Sequence, residues 1–343
     1  MKILGIETSF DETAVAIVEK QDTSIHLIAT SLASSEQLHT QTGGAIPEVA
    51  ARRQVEYIIP IVDAALKKAD VALSDIDAFA VTYGPGLIGS LLVGVETAKT
   101  LAFALRKPLV PVNHLQGHLY VNWLNAKPEL PAIGLVVSGG HSDFVNMRSE
   151  DIIEYIGGTR DDAAGEAFDK TARLIGLPYP GGPAIAQLAD EYIAHHIDQS
   201  LDLFPRPMSN SGDLDMSFSG LKTAVLNYTK QHPDMDTSML AANIQEAIVD
   251  TLVSKTEYAI NKYSPQSFIL SGGVSANNRL KTKMRAMLQM TAKDIGFYVP
   301  EPRHSTDNAV MIATAAAINY SPIDWRKVDA DPTLAIEDTL STK

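Results

Sequence analysis

The fold of this chain is decided by a strand meander near its beginning, I-L-G-I-E-T-S-F-D-E-T-A-V-A-I-V over Ile3–Val18. Two apolar runs, Ile3–Ile6 and Thr13–Val18, flank the polar turn Glu7–Glu12, and a third run covers Leu27–Leu32. Apolar runs of this length, bounded by polar turns, are typical of strands. The sequence therefore predicts three strands before the first helix.

After the meander, the apolar pattern predicts helices that alternate with strands. A helix is predicted from about Pro47, a strand at Ala78–Thr82, a helix ending at Leu105 and a strand at Leu109–Val112. The same order restarts at Ile133. The predicted strands there are Ile133–Val137, Asp143–Met147, Ile152–Ile156, Phe268–Leu270 and Phe297–Val299, and the helices are Asp162–Ile175, Ser238–Asn261, one from about Asn277 and Asn308–Ile318.

The doubled β-β-β-α-β-α pattern favours an α/β fold with two similar lobes that face a cleft. In open α/β sheets, ligands bind beyond the carboxyl ends of the strands. Three polar or glycine-rich turns follow predicted strands, at Thr8–Glu12, Ser138–Ser142 and Gly272–Asn278. We expect the functional residues to lie on these turns.

Composition excludes several classes of protein. The chain has 343 residues, 28 basic and 41 acidic side chains, a net charge of −13 and no cysteine. A chain without cysteine has no disulfide, thiolate zinc site, Fe–S cluster or cysteine nucleophile, and it fits a reducing cytoplasm. The acidic balance argues against a general nucleic-acid coat protein, because phosphate affinity depends on basic side chains. Neither a signal peptide nor a membrane span is predicted.

Two histidines four residues apart, His114 and His118, follow the predicted strand Leu109–Val112. On a helix this spacing puts both imidazoles on one face, where they can bind one metal ion. The alternative is a packed histidine pair without a ligand. Leu115 occupies the position at which a metalloprotease needs a glutamate. Without cysteine, any metal ligands are nitrogen or oxygen atoms, which suit Fe(II), Zn or Mn.

A third metal ligand must come from elsewhere in the chain. Asp307 directly precedes the predicted helix Asn308–Ile318. From local sequence alone, the favoured role of Asp307 is to cap that helix. The alternative is that its carboxylate completes a site with the two histidines.

Two Ser-Gly-Gly turns follow apolar strands, at Ser138–Gly140 and Ser271–Gly273. Glycines let backbone N–H groups approach a phosphate or carboxylate closely. The second turn leads into the helix that carries Asn277, and helix N-termini attract anions. A plain turn without a ligand is the alternative at each place.

Other polar segments allow both structural and functional interpretations. Asp161 and Asp162 open a predicted helix and either cap it or serve a site, with Asp169 deeper in the same helix. Tyr179–Pro183 is predicted to be a rigid turn that lines a pocket or ends the unit. A basic run either holds an RNA backbone or is a solvated helix face. Its members are Arg279, Lys281, Lys283 and Arg285.

Ten short motifs in order resemble the bacterial TsaD family, the tRNA N6-adenosine threonylcarbamoyltransferases, over nearly the whole chain. They are IETSFDET (Ile6–Thr13), GGAIPE (Gly43–Glu48), GPGLIGSLLVG (Gly84–Gly94), HLQGH (His114–His118), VSGGH (Val137–His141), DDAAGEAFDK (Asp161–Lys170), YPGGP (Tyr179–Pro183), SFSGLK (Ser217–Lys222), GGVSAN (Gly272–Asn277) and TDN (Thr306–Asn308). The resemblance implies a two-lobed actin/Hsp70/sugar-kinase-like (ASKHA) fold. We expect one lobe at 1–112 plus 308–343 and the other at 113–307, each a mixed sheet flanked by helices.

The resemblance also implies a reaction. The threonylcarbamoyl group would pass from threonylcarbamoyl-adenylate to N6 of the adenosine beside the anticodon (position 37), with release of AMP. The tRNAs concerned read codons that begin with A. The resemblance further implies one divalent metal, Fe(II) or Zn, and a cytoplasmic complex with the paralogue TsaB and the ATPase TsaE, downstream of the adenylate-making enzyme TsaC.

The family's site residues carry over onto this sequence position by position. The implied metal ligands are His114, His118 and Asp307. The implied contacts to the nucleotide substrate are Val136, Val137, Ser138, Gly139, Gly140, Asp169, Gly182 and Asn277. The acids of the first hairpin, Asp11 and Glu12, are assigned to positioning or deprotonating the adenine amine.

Two positions depart from the family, and three other functions compete. Phe10 replaces the cysteine of many members, so that thiol is not required for catalysis if this chain is active. Gln54 stands where members often carry histidine. A sugar or small-molecule kinase would share the glycine turns but gives the histidine pair no role. A metallopeptidase lacks its glutamate at Leu115, and a non-catalytic scaffold would lack the metal trio.

Overall fold

A computed structural model describes residues 1–34, 47–197 and 199–340 of the chain. The chain divides into two compact units. The first comprises Met1–Lys127, Glu150–Ile153 and Thr306–Lys343, and the second comprises Pro128–Ser149 and Glu154–Ser305. Within the motif Gly43–Glu48, residues 43–46 lie outside the described residues.

Along the described residues, the predicted strands and helices occur in the predicted order, and two helices that the sequence did not predict are added at Gly181–His195 and Ser219–Gln231. The strands are β1 (Lys2–Glu7), β2 (Glu12–Gln21), β3 (Ser24–Ser34), β4 (Ala78–Gly84), β5 (Leu109–Asn113), β6 (Ala132–Val137), β7 (Ser142–Ser149), β8 (Ile152–Gly158), β9 (Ser267–Ser271) and β10 (Gly296–Tyr298). The helices are α1 (Pro47–Ala69), α2 (Ile88–Leu105), α3 (His114–Tyr120), α4 (Ala164–Leu174), α5 (Gly181–His195), α6 (Ser219–Gln231), α7 (Thr237–Tyr263), α8 (Asn278–Thr291) and α9 (Ala309–Ile318).

The sheet of the first unit has five strands in the order β3-β2-β1-β4-β5. β1, β2 and β3 form an antiparallel meander, and β4 and β5 continue the sheet parallel to β1. Ile6 faces the core together with Val15 and Val81, and these side chains are fully buried. The meander predicted from Ile3–Val18 is confirmed.

The sheet of the second unit repeats this plan. Its order is β10-β9-β6-β7-β8, with β7 antiparallel to β6 and with β9 and β10 parallel to one another and to β6. Three meander strands followed by two parallel strands therefore occur in both units. The predicted α/β class and the doubled unit are confirmed.

α9 is the central helix of the first unit. Nine of its ten residues are buried, and the helix is almost entirely apolar. Gly5 in β1 lets this helix approach the sheet, because a Cβ there would lie 2.7 Å from the Ala313 backbone nitrogen. The close approach fixes the beginning of α9, where Asp307 and Asn308 lie.

α2 is the one described helix that is long and apolar enough to cross a membrane by length and composition alone. Its buried residues include Val95, Ala98 and Ala102, which belong to the core of the first unit. The core helix of a globular unit passes the same test, so α2 is weak evidence for a membrane span.

The segment Tyr179–Pro183, which we predicted to be a rigid turn, contains the first residues of a helix. α5 begins at Gly181. A Cβ at Gly181 would lie 2.6 Å from the Ala172 Cβ and 2.7 Å from the Asp169 Cα. Glycine therefore lets the beginning of α5 pack directly on α4, a tertiary reason that the local sequence does not reveal.

Candidate metal centre and glycine turns

α3 carries both candidate metal-binding histidines and is held at its first turn by side-chain hydrogen bonds. The Asn113 Oδ1 atom accepts from the backbone N–H of Leu115 (2.9 Å) and so caps the helix. The Asn113 Nδ2 atom donates to the Ala335 carbonyl (2.7 Å), and Gln116 Nε2 donates to the Ile336 carbonyl (2.8 Å). All seven residues of α3 are buried, so the two imidazoles have little freedom.

His114, His118 and Asp307 meet in the first unit. The Asp307 Oδ1 atom lies 3.1 Å from His118 Nε2 and 3.6 Å from His114 Nε2. One ligand atom from each of the three residues lies within 4.8 Å of the other two. The structure thus brings together the three residues that the family resemblance implied as metal ligands.

The N-cap of α9 is Asn308 rather than Asp307. The Asn308 Oδ1 atom accepts from the backbone N–H of Met311 (3.2 Å). The capping role that local sequence favoured for Asp307 is therefore wrong. The Asp307 carboxylate instead faces the two histidines, as the alternative interpretation required.

α3 and α9 approach one another closely at Gly117, between the two histidines. A Cβ at this position would lie 2.9 Å from the Ile312 Cδ1 atom and 3.3 Å from the Met311 Cγ atom. The close packing sets the separation between the histidines on α3 and the aspartate that precedes α9. Gly117 in the His-Leu-Gln-Gly-His motif is therefore part of the geometry of the site.

Glu7 and Ser9 orient the His114 ring from its other side. The His114 Nδ1 atom lies 3.2 Å from Glu7 Oε2 and 3.1 Å from Ser9 Oγ. Thr82 Oγ1 and the Ser9 backbone N–H each donate to Glu7 at 2.5 Å, so this fully buried carboxylate is fixed in place. A carboxylate behind a metal-binding imidazole fixes the ring and raises its basicity.

The electrostatics of the trio favour a cation. Burial alone would lower the pKa of His114, but the carboxylates of Asp307 and Glu7 outweigh it and raise that pKa to about 9. Two imidazole nitrogens and one carboxylate oxygen are ligands that suit a divalent transition metal. The residues present therefore fit a metal ion.

Gln54 holds the hairpin between β1 and β2. Its fully buried Nε2 atom lies within donor distance of three turn carbonyls, those of Thr8 (3.3 Å), Phe10 (2.8 Å) and Glu12 (3.1 Å). Gln54, which stands where family members often carry histidine, thus has a structural role. It stabilises the turn that presents Ser9 to His114.

Asp11 and Glu12 lie on the same hairpin. Asp11 is buried at 5 % exposure, and Glu12 is half-buried at the start of β2, where its Oε1 atom accepts from Ser34 Oγ (3.4 Å). The negative charge of Glu12 adds to the fields that raise the pKa of His114. Both candidate catalytic acids therefore belong to the turn that supports the metal trio.

The two Ser-Gly-Gly turns meet at one edge of the sheet in the second unit. β6 and β9 are parallel neighbours, and Val136 pairs with Ser271. Gly272 has φ of 86°, and a Cβ there would overlap the Val137 carbonyl oxygen. A Cβ at Gly139 or at Gly140 would meet no described atom within 4 Å. The implied contacts Val136–Gly140 thus lie beside the second turn, with open space in front of both glycines.

Two of the implied nucleotide contacts, Asp169 and Asn277, hold the beginnings of helices in the second unit. The Asp169 Oδ1 atom accepts from the Gly181 backbone N–H (2.7 Å) at the beginning of α5, and burial raises the pKa of its carboxyl. Gly182 is the next residue of that helix. The Asn277 Oδ1 atom caps α8 through the Leu280 N–H (2.9 Å), and its Nδ2 atom donates to Gln245 Oε1 (2.7 Å).

Asp161 caps α6 instead of the helix that follows it in sequence. Its carboxylate accepts from the backbone N–H groups of Phe218 (2.8 Å) and Ser219 (3.2 Å) and from the Ser217 hydroxyl (2.5 Å). Burial would raise the pKa of Asp161, but these hydrogen bonds lower it. The acidic motif and the Ser-Phe-Ser-Gly motif are therefore one structural unit.

A family model described as "TsaD: tRNA N6-adenosine threonylcarbamoyltransferase" matches residues 26–314. The chain belongs to this family. It is therefore a transferase that acts on tRNA, and the family implies a metal ion for which the trio is the possible site. The tRNA-modification function expected from the motifs is confirmed at this level.

Curated relatives match almost the full chain. A tRNA N6-adenosine threonylcarbamoyltransferase of Lacticaseibacillus casei is 45% identical over 341 residues, which cover 97% of this chain and 97% of the relative. The protein of the same name from Kosmotoga olearia is 44% identical and covers 96% of this chain and 98% of the relative. A third, from Moorella thermoacetica, is 46% identical, with 94% and 93% covered.

Solved structures with lower identity share the fold. Full-length HypF in its phosphate- and nucleotide-bound form aligns with a TM-score of 0.61 at 14% identity, covering 93% of this chain and 55% of that one. The activator of 2-hydroxyisocaproyl-CoA dehydratase from Clostridium difficile aligns with a TM-score of 0.52 at 11% identity, covering 93% and 95%. The expected ASKHA-like fold is confirmed.

Sequence reasoning missed three supporting residues of these family sites. Glu7 and Gln54 support the metal trio and its hairpin, and Gln245 fixes Asn277. The sequence offered a signal only for Glu7, an acid at the end of an apolar strand. The partners of Gln54 and Gln245 are 32 or more residues away in sequence, so no local pattern could reveal them.

Proposed function

We propose that this chain transfers the threonylcarbamoyl group from threonylcarbamoyl-adenylate to N6 of adenosine 37 in tRNAs that read codons beginning with A. AMP is the second product. The observation that carries the proposal is the meeting of His114, His118 and Asp307 within 4.8 Å in a chain of this transferase family.

The three residues of the trio would hold the metal, and we assign it as Fe(II), with Zn as the alternative. Nitrogen and oxygen ligands without sulfur suit either ion. When bound, the metal would supply a Lewis acid and a template for the acyl donor. Glu7 keeps His114 in one orientation by its contact with Nδ1, and Asn113 keeps α3 in place.

The glycine turns of the second unit would bind the adenylate. Open space in front of Gly139 and Gly140 lets a phosphate approach the backbone there. Negative charge on the departing phosphate is stabilised by preorganised N–H donors and by the beginning of a helix. Asn277 at the N-terminus of α8 and Asp169 beside α5 would shape this pocket through the helix starts that they hold.

The acids of the first hairpin would handle the adenine amine. The N6 nitrogen attacks the carbamoyl carbon, the bond from that carbon to the phosphate oxygen breaks, and N6 loses one proton. Asp11 or Glu12 would position the amine or accept this proton. The donor is already an activated mixed anhydride, so no enzyme nucleophile is required.

An exposed apolar face on the first unit supports a protein partner, which we assign as the paralogue TsaB, with the ATPase TsaE joining the complex in the cytoplasm. Val55 and Ile59 on α1 are 63% and 60% exposed, and Ile88 and Leu92 on the adjoining α2 are 48% and 45% exposed. Exposed apolar side chains that cluster on adjoining elements often mark protein interaction sites. Val55→Asp combined with Ile59→Asp should abolish co-purification with TsaB.

Reconstitution tests the proposed reaction. The chain is combined with TsaB, TsaE, the adenylate-making enzyme TsaC, ATP, threonine, bicarbonate and unmodified tRNA, and the nucleosides are analysed by mass spectrometry. We expect threonylcarbamoyladenosine at position 37 only when this chain is present. Phosphorylation of a sugar or of another small molecule by the chain alone, with no modified adenosine, would contradict the proposal.

A further inference from the structure

The basic run on α8 divides between two flanks of the helix. Arg279 and Lys283 are four residues apart and share one flank, whereas Lys281 and Arg285 share the other. Residues four apart lie on the same face of a helix, whereas residues two apart point to different sides. The buried stripe of α8, which includes Leu280 and Met284, separates the two flanks.

The first flank is neutralised by α7. Arg279 donates twice to Glu246, at 2.8 Å each, and Lys283 donates to Glu246 at 2.6 Å and also pairs with Asp250. Burial would raise the pKa of Glu246, but Arg279 and Lys283 lower it. These cations therefore hold α8 against α7 and are not available to a ligand.

The second flank carries positive charge without an acidic partner. Within the ranges that the structure describes, neither Lys281 nor Arg285 forms an ion pair or a hydrogen bond with a carboxylate. The Arg285 guanidinium lies 5.7 Å from the centre of the Phe297 ring, a contact that steadies its position. Burial and the neighbouring Arg285 both lower the pKa of Lys281, so the two like charges are held together at an electrostatic cost.

The position of this flank relates it to the second glycine turn. α8 starts immediately after Asn277, which caps it. At 1.5 Å per residue, Lys281 and Arg285 lie about 6 and 12 Å along the helix axis from Asn277. The unneutralised charges therefore begin about one helical turn from the residues to which the proposed function assigns the adenylate.

We infer that Lys281 and Arg285 bind backbone phosphates of the substrate tRNA. The inference rests on the proposed function for the identity of the RNA. Two cations four residues apart on a helix present donors to neighbouring phosphates, and the arginine fork suits phosphate oxygens. Phosphate contacts position a nucleic acid without reading its sequence. The flank should therefore strengthen binding of all substrate tRNAs alike.

The test compares two double variants of the full chain that change its net charge equally. Lys281→Ala combined with Arg285→Ala removes the flank, and Lys67→Ala combined with Lys68→Ala removes two cations from the end of α1 in the first unit. Binding of fluorescently labelled unmodified tRNA is followed by fluorescence anisotropy at salt concentrations between about 50 and 200 mM. Over roughly this range, salt strongly lowers the affinity that phosphate contacts provide. The KM for tRNA is measured in the reconstituted reaction.

We expect the flank variant to bind tRNA at least tenfold more weakly at the lowest salt. Its slope of log affinity against log salt should be smaller than that of the wild type by about 1.4 to 1.8, as the loss of two phosphate contacts predicts. Its KM for tRNA should rise, while kcat at saturating tRNA and metal content stay unchanged. The control variant should match the wild type in all five measurements.

Equal salt slopes and KM values for the flank variant and the control variant would overturn the inference. Unchanged tRNA binding with lost association to a protein partner would also overturn it and would assign the flank to an acidic protein surface. A wild-type chain that forms no modified nucleoside would refute the proposed function instead. The anisotropy measurement would still test the flank in that case.

Discussion

Glu7 connects the strand meander to the candidate metal centre at the scale of single residues. Its buried carboxylate touches His114 Nδ1 at 3.2 Å and is held by Thr82 and Ser9. We expect Glu7→Gln to weaken metal binding by roughly 10–100-fold, the usual effect of removing a carboxylate behind a metal-binding histidine. Competition with a coloured chelator measures the affinity.

Glu19→Gln is the matched control for this substitution, because Glu19 lies at the far end of β2 and is partly exposed. Circular dichroism should show the same fold for both variants. Wild-type metal affinity in Glu7→Gln would contradict the role assigned to this carboxylate.

Asp143, at the second position of β7, gives the second unit a pH-dependent stability. Burial raises the pKa of its carboxyl from the ordinary value of 3.8 to about 6. The folded state therefore binds a proton more tightly than the unfolded chain, so stability falls as pH rises from about 4 to above 6. The charged form costs up to about 3 kcal/mol, since one pKa unit corresponds to about 1.4 kcal/mol.

We expect Asp143→Asn to raise the urea midpoint at pH 8 and to have little effect near pH 4. Urea unfolding across that range measures the difference. Asp22→Asn, at an exposed turn, is the control for the removed charge. A stabilisation of equal size at both pH values would refute burial of the charged carboxyl as the cause.

Among the turns between elements, the Ser-Gly-Gly turn after β9 depends on Gly272, where both the backbone conformation and the packing disfavour a side chain. Gly272 combines φ of 86° and ψ of 168° with direct packing on the Val137 carbonyl. Gly176 has φ of 79°, but a Cβ at this position would meet no described atom within 4 Å. Comparison of the two glycines separates backbone strain from close packing.

We expect Gly176→Ala to cost about 1–2 kcal/mol, the penalty of a left-handed conformation. Gly272→Ala should cost at least about 2 kcal/mol more, because its Cβ also overlaps backbone in a region open essentially to glycine alone. Urea unfolding of both variants measures the difference. Equal destabilisation by the two substitutions would show that Gly272 does not pack against the Val137 carbonyl, and so that the two Ser-Gly-Gly turns do not touch there.

The sequence predicted the strands and helices whose apolar residues recur at strand or helix spacing. The meander in Ile3–Val18 and the apolar helix Ala309–Ile318 follow directly from apolar patterning. α5 and α6 were missed because their first residues are glycine, serine and proline, which usually mark turns. The beginning of α5 packs on α4, and the beginning of α6 donates a hydrogen bond from the Ser219 N–H to Asp161. Both contacts form only once the chain has folded.

In the candidate sites too, local patterns predicted some features, whereas others depend on contacts between residues that are distant in sequence. The four-residue spacing of His114 and His118 predicts one helix face, and the histidines do share it. Asp307 lies 189 residues beyond His118, so local sequence offered it as a ligand only as the less favoured alternative, and the family resemblance implied that role directly. Local sequence favoured a cap at Asp307, and Asn308, an equally good capping residue, takes that role.

At the scale of the whole molecule, the net charge of −13 limits how the chain can bind RNA. Many of its cations are already paired, as Arg279 and Lys283 are with Glu246. Attraction of RNA must therefore come from local unneutralised positions such as Lys281 and Arg285, or from partners. Both units share one sheet plan. The first unit carries His114, His118 and Asp307, and the second carries the two Ser-Gly-Gly turns.

We propose that His114, His118 and Asp307 hold a metal ion that the transfer to tRNA requires. The most direct measurement compares metal content and modified nucleoside in purified His118→Ala and in His232→Ala, whose exposed histidine lies beyond α6. We predict that His118→Ala keeps its fold but loses both metal and threonylcarbamoyladenosine formation, whereas His232→Ala keeps both. Full modification of tRNA by metal-free His118→Ala would contradict the claim.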